Sequence, residues 1–555
     1  LVREAYAFLA ESAVDAADTP LVIVAGPGTG KTRTLTERVQ HLVLARGVDP
    51  AAILAVTFTN RAAGEMRARL AALLEDRAGR LTITTFHAFC LRLLRQYGAE
   101  IGLPAEFALV EHDDAVDLLS AVRDCTRKEA EEQLSAIEAA RRELRACDAL
   151  TGHADLQAAL RERGLLELDA VIPRALDLLA VSAAARETAA FEHICIDEYQ
   201  DVSPVQHRLV QALSPDGAGL CVIGDPDQAI YGFRGADPQC FQRVADGLDA
   251  GQVFKLTLNF RSTANIVAAA NGVMAPGRTP LSVDGRSRAD AGAGVAVVHT
   301  PTAAAEAEFI THETETLMGG TALFSFDSAR VAEADADTEY SFADIAVLVR
   351  LHALVEPLRE ALERLGLPVQ CVGRREDVDA DLLRRMTTAL AHVDTADGHV
   401  ATRLKALGEC AGVDDDLRRL AVSWLPLAEQ SDGSVAGLRD LVMLRQAADR
   451  YREGVEKVTI MTFHAAKGLE FPVVFVAACE DGIVPYRRQG EDPDLAEERR
   501  LLYVAMTRAR ERLYLCSARR RARKSSATGI TSMTAPYRAG TGRAVSSRET
   551  NNAPD

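Results

Sequence analysis

One segment limits the possible folds of this chain more than any other, the glycine-rich AGPGTGKT at residues 25–32. It follows a short apolar run and precedes a helical pattern that carries Leu35, Val39 and Leu42 on one face. In a strand–loop–helix unit of this kind, glycines let backbone N–H groups surround phosphate groups, and the new helix offers its positive end. The alternative is an ordinary glycine loop, which needs neither a strand before it nor a helix after it. The segment therefore predicts a phosphate-binding site in an α/β fold.

The side chains of this loop match the binding of a nucleoside triphosphate. Lys31 is expected to reach the β- and γ-phosphates, and the hydroxyl of Thr32 is expected to ligate Mg²⁺. The first glycine position of the strict pattern holds an alanine, a change that a small residue tolerates. The backbone cradle is formed by Ala25, Gly26, Pro27, Gly28, Thr29 and Gly30.

A second segment, ICIDEYQD at residues 194–201, places two carboxylates at the end of a buried strand. Asp197 can hold Mg²⁺ directly or through water, and Glu198 can orient and deprotonate an attacking water molecule. Alone, such an acidic pair is as readily a solvated turn. Together with the phosphate loop, it predicts an NTPase.

Short apolar runs alternate with long helical patterns, which is typical of an α/β fold with parallel sheets. The strand-like runs are 21–24, 53–58, 194–196, 220–223, 347–349, 458–461 and 473–477. Two stretches, 97–189 and 373–454, show charged amphipathic helices instead, the first with hardly any strand signal. The pattern predicts two α/β domains, each interrupted by a mainly helical insertion. Residues 524–555, rich in Ser, Thr and Gly, are predicted to form a disordered tail.

Six further segments indicate the class of NTPase. They are TFTNRAAGEMRARL (57–70), TTFHAFCLRLLR (84–95), VIGDPDQAIYGFRGA (222–236), LNFRST (258–263), VTIMTFHAAKGLEFPVVFVAACEDGIVP (458–485) and EERRLLYVAMTRARERLYL (497–515). With the two sites above, they resemble the motif series of UvrD/Rep/PcrA-type superfamily 1 DNA helicases, in that family's order. The resemblance covers both α/β segments and matches the helical insertions only weakly.

The resemblance implies two RecA-like P-loop NTPase domains, 1A and 2A, with insertions 1B and 2B and with ATP bound between the domains. It implies ATP- and Mg²⁺-dependent 3′→5′ movement on single-stranded DNA and unwinding of 3′-tailed duplex DNA, in repair, replication or recombination, by a monomer or weak dimer. The implied boundaries are 1–96 and 190–255 for 1A, 97–189 for 1B, 256–372 and 455–523 for 2A, and 373–454 for a reduced 2B.

The resemblance also assigns roles to single residues. Its catalytic positions are Glu198, Gln228, Arg261 and Arg508. Gln228 would contact the γ-phosphate, and the two arginines would be fingers that arrive from the second domain. Phe260 would stack on the adenine, and Glu470 would contact the ribose or the γ-phosphate side. The positions along the DNA channel are Phe58, Asn60, His87, Tyr231, Phe233, Arg234 and His464.

The aromatic residues among these support the same function on physical grounds. Rings on loops offer bases a sequence-tolerant stacking surface, worth about 1–3 kcal/mol per base. Taken singly, each ring is better explained as a core residue, and only the motif context favours Phe58 and Phe233 as base contacts. The two histidines, without that context, are better explained as capping or core residues.

The chain departs from the family's pattern in several places, among them Pro226, where an acidic residue is common, and Gly232, where arginine is common. The glutamine that reads the adenine edge is absent near Ala10, which leads to the hypothesis that ATP and GTP are used comparably. Phe233 stands where tryptophan is common and presents less stacking surface. Phe260 replaces the usual tyrosine and loses its hydroxyl. The second insertion is short, which favours an alternative in which the protein translocates on single-stranded DNA and displaces proteins with little unwinding.

Two other classes are disfavoured by residues that are present or missing. A helicase-nuclease subunit would need an acidic, lysine-containing pattern after residue 515, and the chain lacks one. A DNA-binding relative with a decayed ATPase would not need to keep the full set of nucleotide-site residues. RNA remains open as a substrate, because stacking platforms accept either sugar.

The net charge of −17 argues against a protein that coats nucleic acid by bulk charge. The charge is unevenly distributed along the chain. Segments 1–100, 191–274 and 455–555 together carry +2, whereas 101–190 and 275–454 together carry −19. We therefore expect a few placed groups to hold the DNA and the salt dependence of binding to be shallow.

Other features indicate where the protein works. The longest apolar run, 473–479, is too short to span a bilayer, and the first residues lack the pattern of a secretory signal. The ten cysteines contain no CxxC pair, which favours reduced core thiols over a metal or disulfide framework. The expected location is the cytoplasm, with no membrane partner.

Overall fold

The computed structural model describes most of the chain. It covers Val14, residues 20–521 with gaps, and the dipeptide Ser547–Arg548. The gaps are residues 105, 249–251, 320–339, 373–379, 394, 396–397, 411–412, 430, 432, 445–448, 450 and 488–491. Two predictions therefore fall outside the described residues: almost all of the disordered tail, and the empty glutamine position near residue 10.

The first α/β segment holds three strands, each followed by a helix. Its elements are β1 (Leu21–Ala25), α1 (Lys31–Leu44), β2 (Ile53–Thr57), α2 (Asn60–Leu74), β3 (Thr82–Thr85) and α3 (Phe86–Tyr97). β1 and β2 are buried along their whole length, as expected for strands covered by helices on both faces of a sheet. Thr59 and Thr85 accept backbone N–H groups at the starts of α2 and α3, so threonine caps set where these helices begin.

The first insertion is mainly helical. Its elements are β4 (Ala108–Val110), α4 (His112–Arg123), α5 (Arg127–Arg142), α6 (His153–Glu162), β5 (Leu165–Glu167), α7 (Val171–Val181) and α8 (Ala183–Thr188). β4 and β5 pair in parallel, so the description of this stretch as almost free of strands needs correction. Three-residue strands are too short for a periodic pattern to reveal. Val171 and Leu178 of α7 pack into the core of the first domain.

The chain then returns to the first sheet with β6 (His193–Ile196), α9 (Pro204–Leu213), β7 (Leu220–Gly224), α10 (Pro238–Asp246) and β8 (Val253–Leu256). Six parallel strands lie in the order β3-β2-β6-β7-β1-β8. Because parallel strands end at one edge, the loops after β1, β2, β6 and β7 meet there. This edge carries the phosphate loop and the acidic segment.

The second domain begins with β9 (Leu258–Asn259), α11 (Ala264–Met274), β10 (Arg286–Ser287), β11 (Ala296–Thr302), α12 (Ala303–Leu317), β12 (Ile345–Val349), α13 (Val355–Arg364) and β13 (Val369–Val372). β9 and β10 form a separate two-stranded pair close to the phosphate loop. The buried apolar residues of β12 lie at the centre of the second sheet.

The described residues of the second insertion form four helices, α14 (Ala380–His392), α15 (Val400–Glu409), α16 (Asp415–Ala428) and α17 (Val435–Met443). They enclose an apolar cluster around Trp424, the only tryptophan of the chain. The insertion leaves the second domain but docks on the first: Arg95 of α3 donates to Asp440 of α17 at 2.8 Å, and Met443 joins the apolar cluster of the first domain.

The last elements are β14 (Val458–Thr462), β15 (Phe471–Val476), α18 (Leu495–Met506), β16 (Ala509–Arg520) and β17 (Ser547–Arg548). The second sheet is parallel throughout, in the order β13-β14-β12-β15-β16-β11-β17. The predicted fold class, two RecA-like α/β domains with parallel sheets, is confirmed. Within the described part of the chain, every helix is too short or too polar to cross a bilayer.

Candidate nucleotide cleft and nucleic-acid interface

The phosphate loop turns directly from β1 into α1. Gly28 and Gly30 have φ angles of 67° and 85°, a conformation that glycine adopts without steric cost. Lys31 Nζ donates to the carbonyl oxygens of Ala25 at 3.3 Å and Gly26 at 3.5 Å, so its ammonium group lies folded over the loop. Both contacts are long, and phosphate oxygens can replace them without the loss of a strong hydrogen bond.

The second domain touches this loop. Asn259 Nδ2 donates to the carbonyl of Pro27 at 2.7 Å, and the N–H of Phe260 donates to the carbonyl of Gly28 at 2.8 Å. A Cβ on Gly28 would lie 2.6 Å from the Cβ of Arg261, which is closer than such atoms pack. Glycine is therefore required here for the approach of the two domains. Sequence reasoning assigned no role to Asn259, although it lies within a recognised segment.

The two carboxylates after β6 lie at the same edge. Thr32 Oγ1 donates to Asp197 Oδ2 at 3.0 Å, and Glu198 has a φ of 53°, uncommon outside glycine. Burial and the adjacent Glu198 raise the pKa of Asp197 to about 6, although Lys31 opposes the shift. Burial also raises the pKa of Glu198, but Lys31 and Lys467 contribute to an opposing effect that lowers it to about 2. The Glu198 carboxylate is therefore ionised.

This arrangement fits a divalent cation. The hydroxyl of Thr32 and the carboxylate of Asp197 are hard oxygen donors 3.0 Å apart. Mg²⁺ in phosphate-transfer sites takes one or two such protein ligands and completes its shell with water and phosphate oxygens. Asp197 is buried, so its carboxylate has lost most of its hydration, and a bound cation would offset that cost.

Gln228 lies where the two domains meet. Its side-chain N–H donates to Asp225 Oδ2 at 2.5 Å, and its Oε1 accepts from Arg508 Nη2 at 3.3 Å. Its backbone carbonyl accepts from Lys467 Nζ at 2.6 Å. Arg508 is 2 % exposed, and burial lowers the pKa of its guanidinium to about 9. One predicted arginine finger is therefore in contact with the residue predicted to sense the γ-phosphate.

The other predicted finger, Arg261, faces Glu470. Its Nε donates to Glu470 Oε2 at 2.5 Å, and its Nη1 donates to the carbonyl of Thr507 at 3.4 Å. Burial raises the pKa of Glu470, but Arg261, Arg510 and Arg508 together outweigh this effect and the pKa is lowered overall. Phe260 is 41 % exposed beside the loop, and the Arg288 guanidinium lies 5.7 Å from its ring centroid. The Phe260 ring thus offers a flat surface for a base.

A buried ion pair beside Gln228 was absent from the predicted site. Lys467 Nζ contacts Asp201 Oδ2, and their side chains are 6 % and 0 % exposed. Gln200 Nε2 connects the pair to the candidate base, donating to Glu198 Oε2 at 2.5 Å and to Asp201 Oδ2 at 3.3 Å. The rarity of lysine is the sequence signal that could have identified Lys467. Only seven residues of the chain are lysine, and this one lies within a recognised segment.

Four side chains from both domains, Phe58, Tyr231, Phe233 and His464, form what we call the aromatic cluster. The rings of Phe58 and Tyr231 stack at a centroid distance of 5.1 Å and an angle of 19°. Phe233 lies 6.1 Å from Tyr231 and meets His464 edge-on at 5.0 Å. Tyr231 is 6 % exposed and Phe233 is 62 % exposed, so Phe233 presents the open ring and Tyr231 supports it.

A cavity of about 130 Å³ lies beside the aromatic cluster. Its walls come from the first domain and both insertions and include Phe58, Phe86, His87, Arg142, Asp169, Tyr231, Arg234 and Leu444. Burial, then the charge of Arg234, lowers the pKa of His87 to about 4. Burial, then the charges of Arg350 and Arg234, lowers the pKa of His464 to about 3. Both imidazoles are neutral near pH 7 and can stack or share hydrogen bonds.

Asn60, another predicted DNA-channel residue, is bound to the end of the second insertion. Its Nδ2 donates to the carbonyl of Leu444 at 3.1 Å, and the N–H of Arg61 donates to Asp449 Oδ1 at 2.8 Å. The start of α2 therefore holds the end of the second insertion. The structure brings the remaining predicted channel residues together: Phe58, His87, Tyr231, Phe233, Arg234 and His464.

Two family models and several curated relatives match this chain. The family model described as the UvrD/REP helicase N-terminal domain matches residues 8–248, and the UvrD-like helicase C-terminal domain matches 254–385 and 425–520. ATP-dependent DNA helicase UvrD1 of Mycobacterium tuberculosis is 32 % identical over 90 % of this chain and 80 % of its own. ATP-dependent DNA helicase PcrA of Bacillus subtilis is 27 % identical over 92 % and 82 %.

Proposed function

The chain belongs to the UvrD/Rep family of ATP-dependent DNA helicases, and we propose that it couples ATP hydrolysis to 3′→5′ movement on single-stranded DNA and to unwinding of 3′-tailed duplexes. The observation that carries the proposal is the continuity of one short segment. Gln228 contacts Arg508 in the nucleotide cleft, and Tyr231, three residues later, stacks on Phe58 in the aromatic cluster. Loss of the γ-phosphate at one end can therefore move a stacking platform at the other.

At the nucleotide cleft, we propose that Glu198 is the general base. Its low pKa reflects positive neighbours, of which Lys31 has the largest effect. A bound triphosphate would neutralise Lys31 and add negative charge, which raises the pKa of the carboxylate toward that of a useful base. Thr32 and Asp197 would hold Mg²⁺, which would supply charge neutralisation at the phosphates.

The remaining nucleotide contacts come from both domains. Lys31 would bind the β- and γ-phosphates, together with the loop residues Ala25, Gly26, Pro27, Gly28, Thr29 and Gly30. Arg508 and Arg261 would stabilise charge that develops during phosphoryl transfer, as arginine fingers do. Phe260 would stack on the adenine. Glu470 would contact the ribose or the γ-phosphate side, and its contact with Arg261 at 2.5 Å would orient that arginine.

On the DNA side, we propose that bases stack against the exposed ring of Phe233 and that Tyr231 and Phe58 support it. Arg234 lies 5.4 Å from the Tyr231 ring and supplies positive charge for the backbone of the strand. His87 and His464 are neutral and act by stacking or hydrogen bonding. For Asn60, which holds Leu444, we propose a DNA contact only when the second insertion moves away.

The decisive experiment measures ATPase activity with and without single-stranded DNA or RNA, followed by unwinding of duplexes with 3′ or 5′ tails. We expect strong stimulation by single-stranded DNA and unwinding of the 3′-tailed duplex only. Equal unwinding of the 5′-tailed duplex would contradict the polarity. Stimulation by RNA alone would contradict the substrate.

A second candidate is a translocase that strips proteins from single-stranded DNA and unwinds poorly. It is favoured by the small second insertion, which docks on the first domain through the bidentate pair of Arg95 and Asp440. Strand-displacement and protein-displacement assays on one preparation separate the two functions. Rapid protein displacement without strand displacement would select the translocase.

We propose the domain division stated above, with boundaries 1–96 and 190–255, 97–189, 256–372 and 455–523, and 373–454. We also propose that the protein acts as a monomer or weak dimer. Sedimentation at several protein concentrations, with and without DNA, tests the oligomeric state, and a tight dimer at all concentrations would contradict it.

A further inference from the structure

Residues 227–231 of the first domain are held by the second domain on both sides of the glutamine in the cleft. Before it, Ser282 Oγ donates to Asp227 Oδ1 at 2.6 Å. After it, Arg500 Nε donates to the carbonyl of Ala229 at 2.7 Å. Neither donor belongs to the phosphate loop, the carboxylate pair or the predicted arginine fingers. They come from separate parts of the second domain, the loop before β10 and helix α18.

Apolar packing strengthens the same attachment. Ile230 is fully buried within the apolar cluster of the second domain, although it belongs to the first. Glu497, one turn before Arg500 on α18, lies against Gly232, where a Cβ would be 3.4 Å from its Oε1. The segment is therefore part of the first domain by sequence and part of the second by its contacts. A shift between the domains must move it or break these contacts.

We propose that Ser282 and Arg500 are positioning residues that place Gln228 when the two domains close. The inference rests on the proposed function, in which Gln228 senses the γ-phosphate. A glutamine side chain has several rotamers, and a backbone fixed on both sides limits where its amide can point. Because both anchors belong to the second domain, the amide reaches its working position only when that domain is docked. Ser282 and Arg500 thus make hydrolysis depend on domain closure independently of Arg508.

Arg500→Ala, Arg500→Lys and Ser282→Ala test the proposal in the full chain. Removal of a hydrogen bond from a charged donor predicts that Arg500→Ala lowers the DNA-stimulated kcat about tenfold. Since Arg500 touches no nucleotide, KM for ATP should change by less than about twofold. Lysine can still donate to the Ala229 carbonyl, so Arg500→Lys should recover most of the lost kcat. Ser282→Ala removes a donor to the Asp227 carboxylate, a hydrogen bond that also involves a charged group, and should likewise lower kcat about tenfold.

Arg499→Ala is the matched control, because its side chain lies against Gly277 rather than the glutamine segment. It should leave kcat and KM unchanged. A normal kcat in Arg500→Ala, or a kcat loss that Arg500→Lys does not recover, overturns the inference. If Arg500→Ala does not fold, Ser282→Ala decides, and a normal kcat in that variant has the same meaning. A wild-type protein without DNA-stimulated hydrolysis would instead overturn the proposed function.

Discussion

The nucleotide cleft and the aromatic cluster lie at the two ends of residues 227–231, the segment that contacts both domains. The two regions differ in the kind of side chain from which they are built. The cleft consists of buried charged and polar groups, such as Asp197, Gln228 and Arg508, which hydrogen bonds fix in place. The aromatic cluster consists of rings, one of which, Phe233, is 62 % exposed. Phosphoryl transfer needs charges placed within fractions of an ångström, whereas movement along DNA needs a surface that accepts any base.

This difference predicts which measured quantity a substitution in each region changes. Changes in the cleft should lower the turnover number and leave DNA affinity almost intact. Changes in the aromatic cluster should weaken DNA affinity and leave nucleotide affinity almost intact. Changes in residues 227–231, which join the two regions, should reduce the stimulation of ATP hydrolysis by DNA.

The largest effect is expected for Arg508→Ala. The variant should bind ATP nearly as well as the wild type but lose about 10³-fold in DNA-stimulated kcat, the lower part of the range for an arginine finger. Arg510→Ala, which changes an exposed arginine two residues later, is the control. Steady-state ATPase assays with saturating single-stranded DNA measure both. A variant with normal stimulated turnover would remove Arg508 from the cleft's mechanism.

Glu198→Gln comes next. The amide keeps the size of the side chain but cannot accept the proton, so turnover should fall at least about 100-fold while ATP and DNA still bind. Equilibrium binding of a fluorescent ATP analogue and of labelled DNA provides the control measurement. Near-normal turnover would show that another group activates the water.

Phe233→Ala tests the other side of the comparison. Loss of one stacking surface should raise the Kd for single-stranded DNA about tenfold, within the range for one base. KM for ATP at saturating DNA should stay constant. Phe260→Ala is the reciprocal variant and should raise KM for ATP without weakening DNA binding. If each variant changed both affinities equally, the separation of the two regions would be wrong.

A smaller effect concerns the choice of nucleotide. Because the glutamine near residue 10 is absent, one side chain fewer is available to hydrogen-bond to the edge of the adenine. The kcat/KM for GTP should therefore come within about tenfold of that for ATP. The measurement is a pair of steady-state titrations under the same DNA saturation. Strict preference for ATP would mean that other groups read the base edge.

The smallest effect concerns salt. Because few basic groups hold the DNA and the two segments 101–190 and 275–454 carry most of the negative charge, log Kd should rise only gently with log salt concentration. Fluorescence anisotropy at several salt concentrations measures the slope. A steep slope would reveal a basic face on an insertion and would add a third binding region to the comparison.

Local patterns predicted much of the fold. The apolar run before AGPGTGKT and the acidic end of the 194–196 run each correspond to a buried strand and its loop. The three-residue strands β4 and β5 were missed, because such short strands leave no periodic signal. The cavity beside the aromatic cluster could not be predicted from local patterns either, because its walls come from three parts of the chain that are distant in sequence.

What the sequence determined by itself is the chemistry of each strand end. A glycine loop before a helix and a carboxylate pair after a buried strand can be recognised locally, because backbone geometry and charge burial act over short distances. Only the tertiary structure decided which of these groups touch. The contacts of Lys467 with Asp201, Arg500 with Ala229 and Ser282 with Asp227 join residues far apart in the chain. Their partners are chosen by how the two sheets face each other, which no local pattern contains.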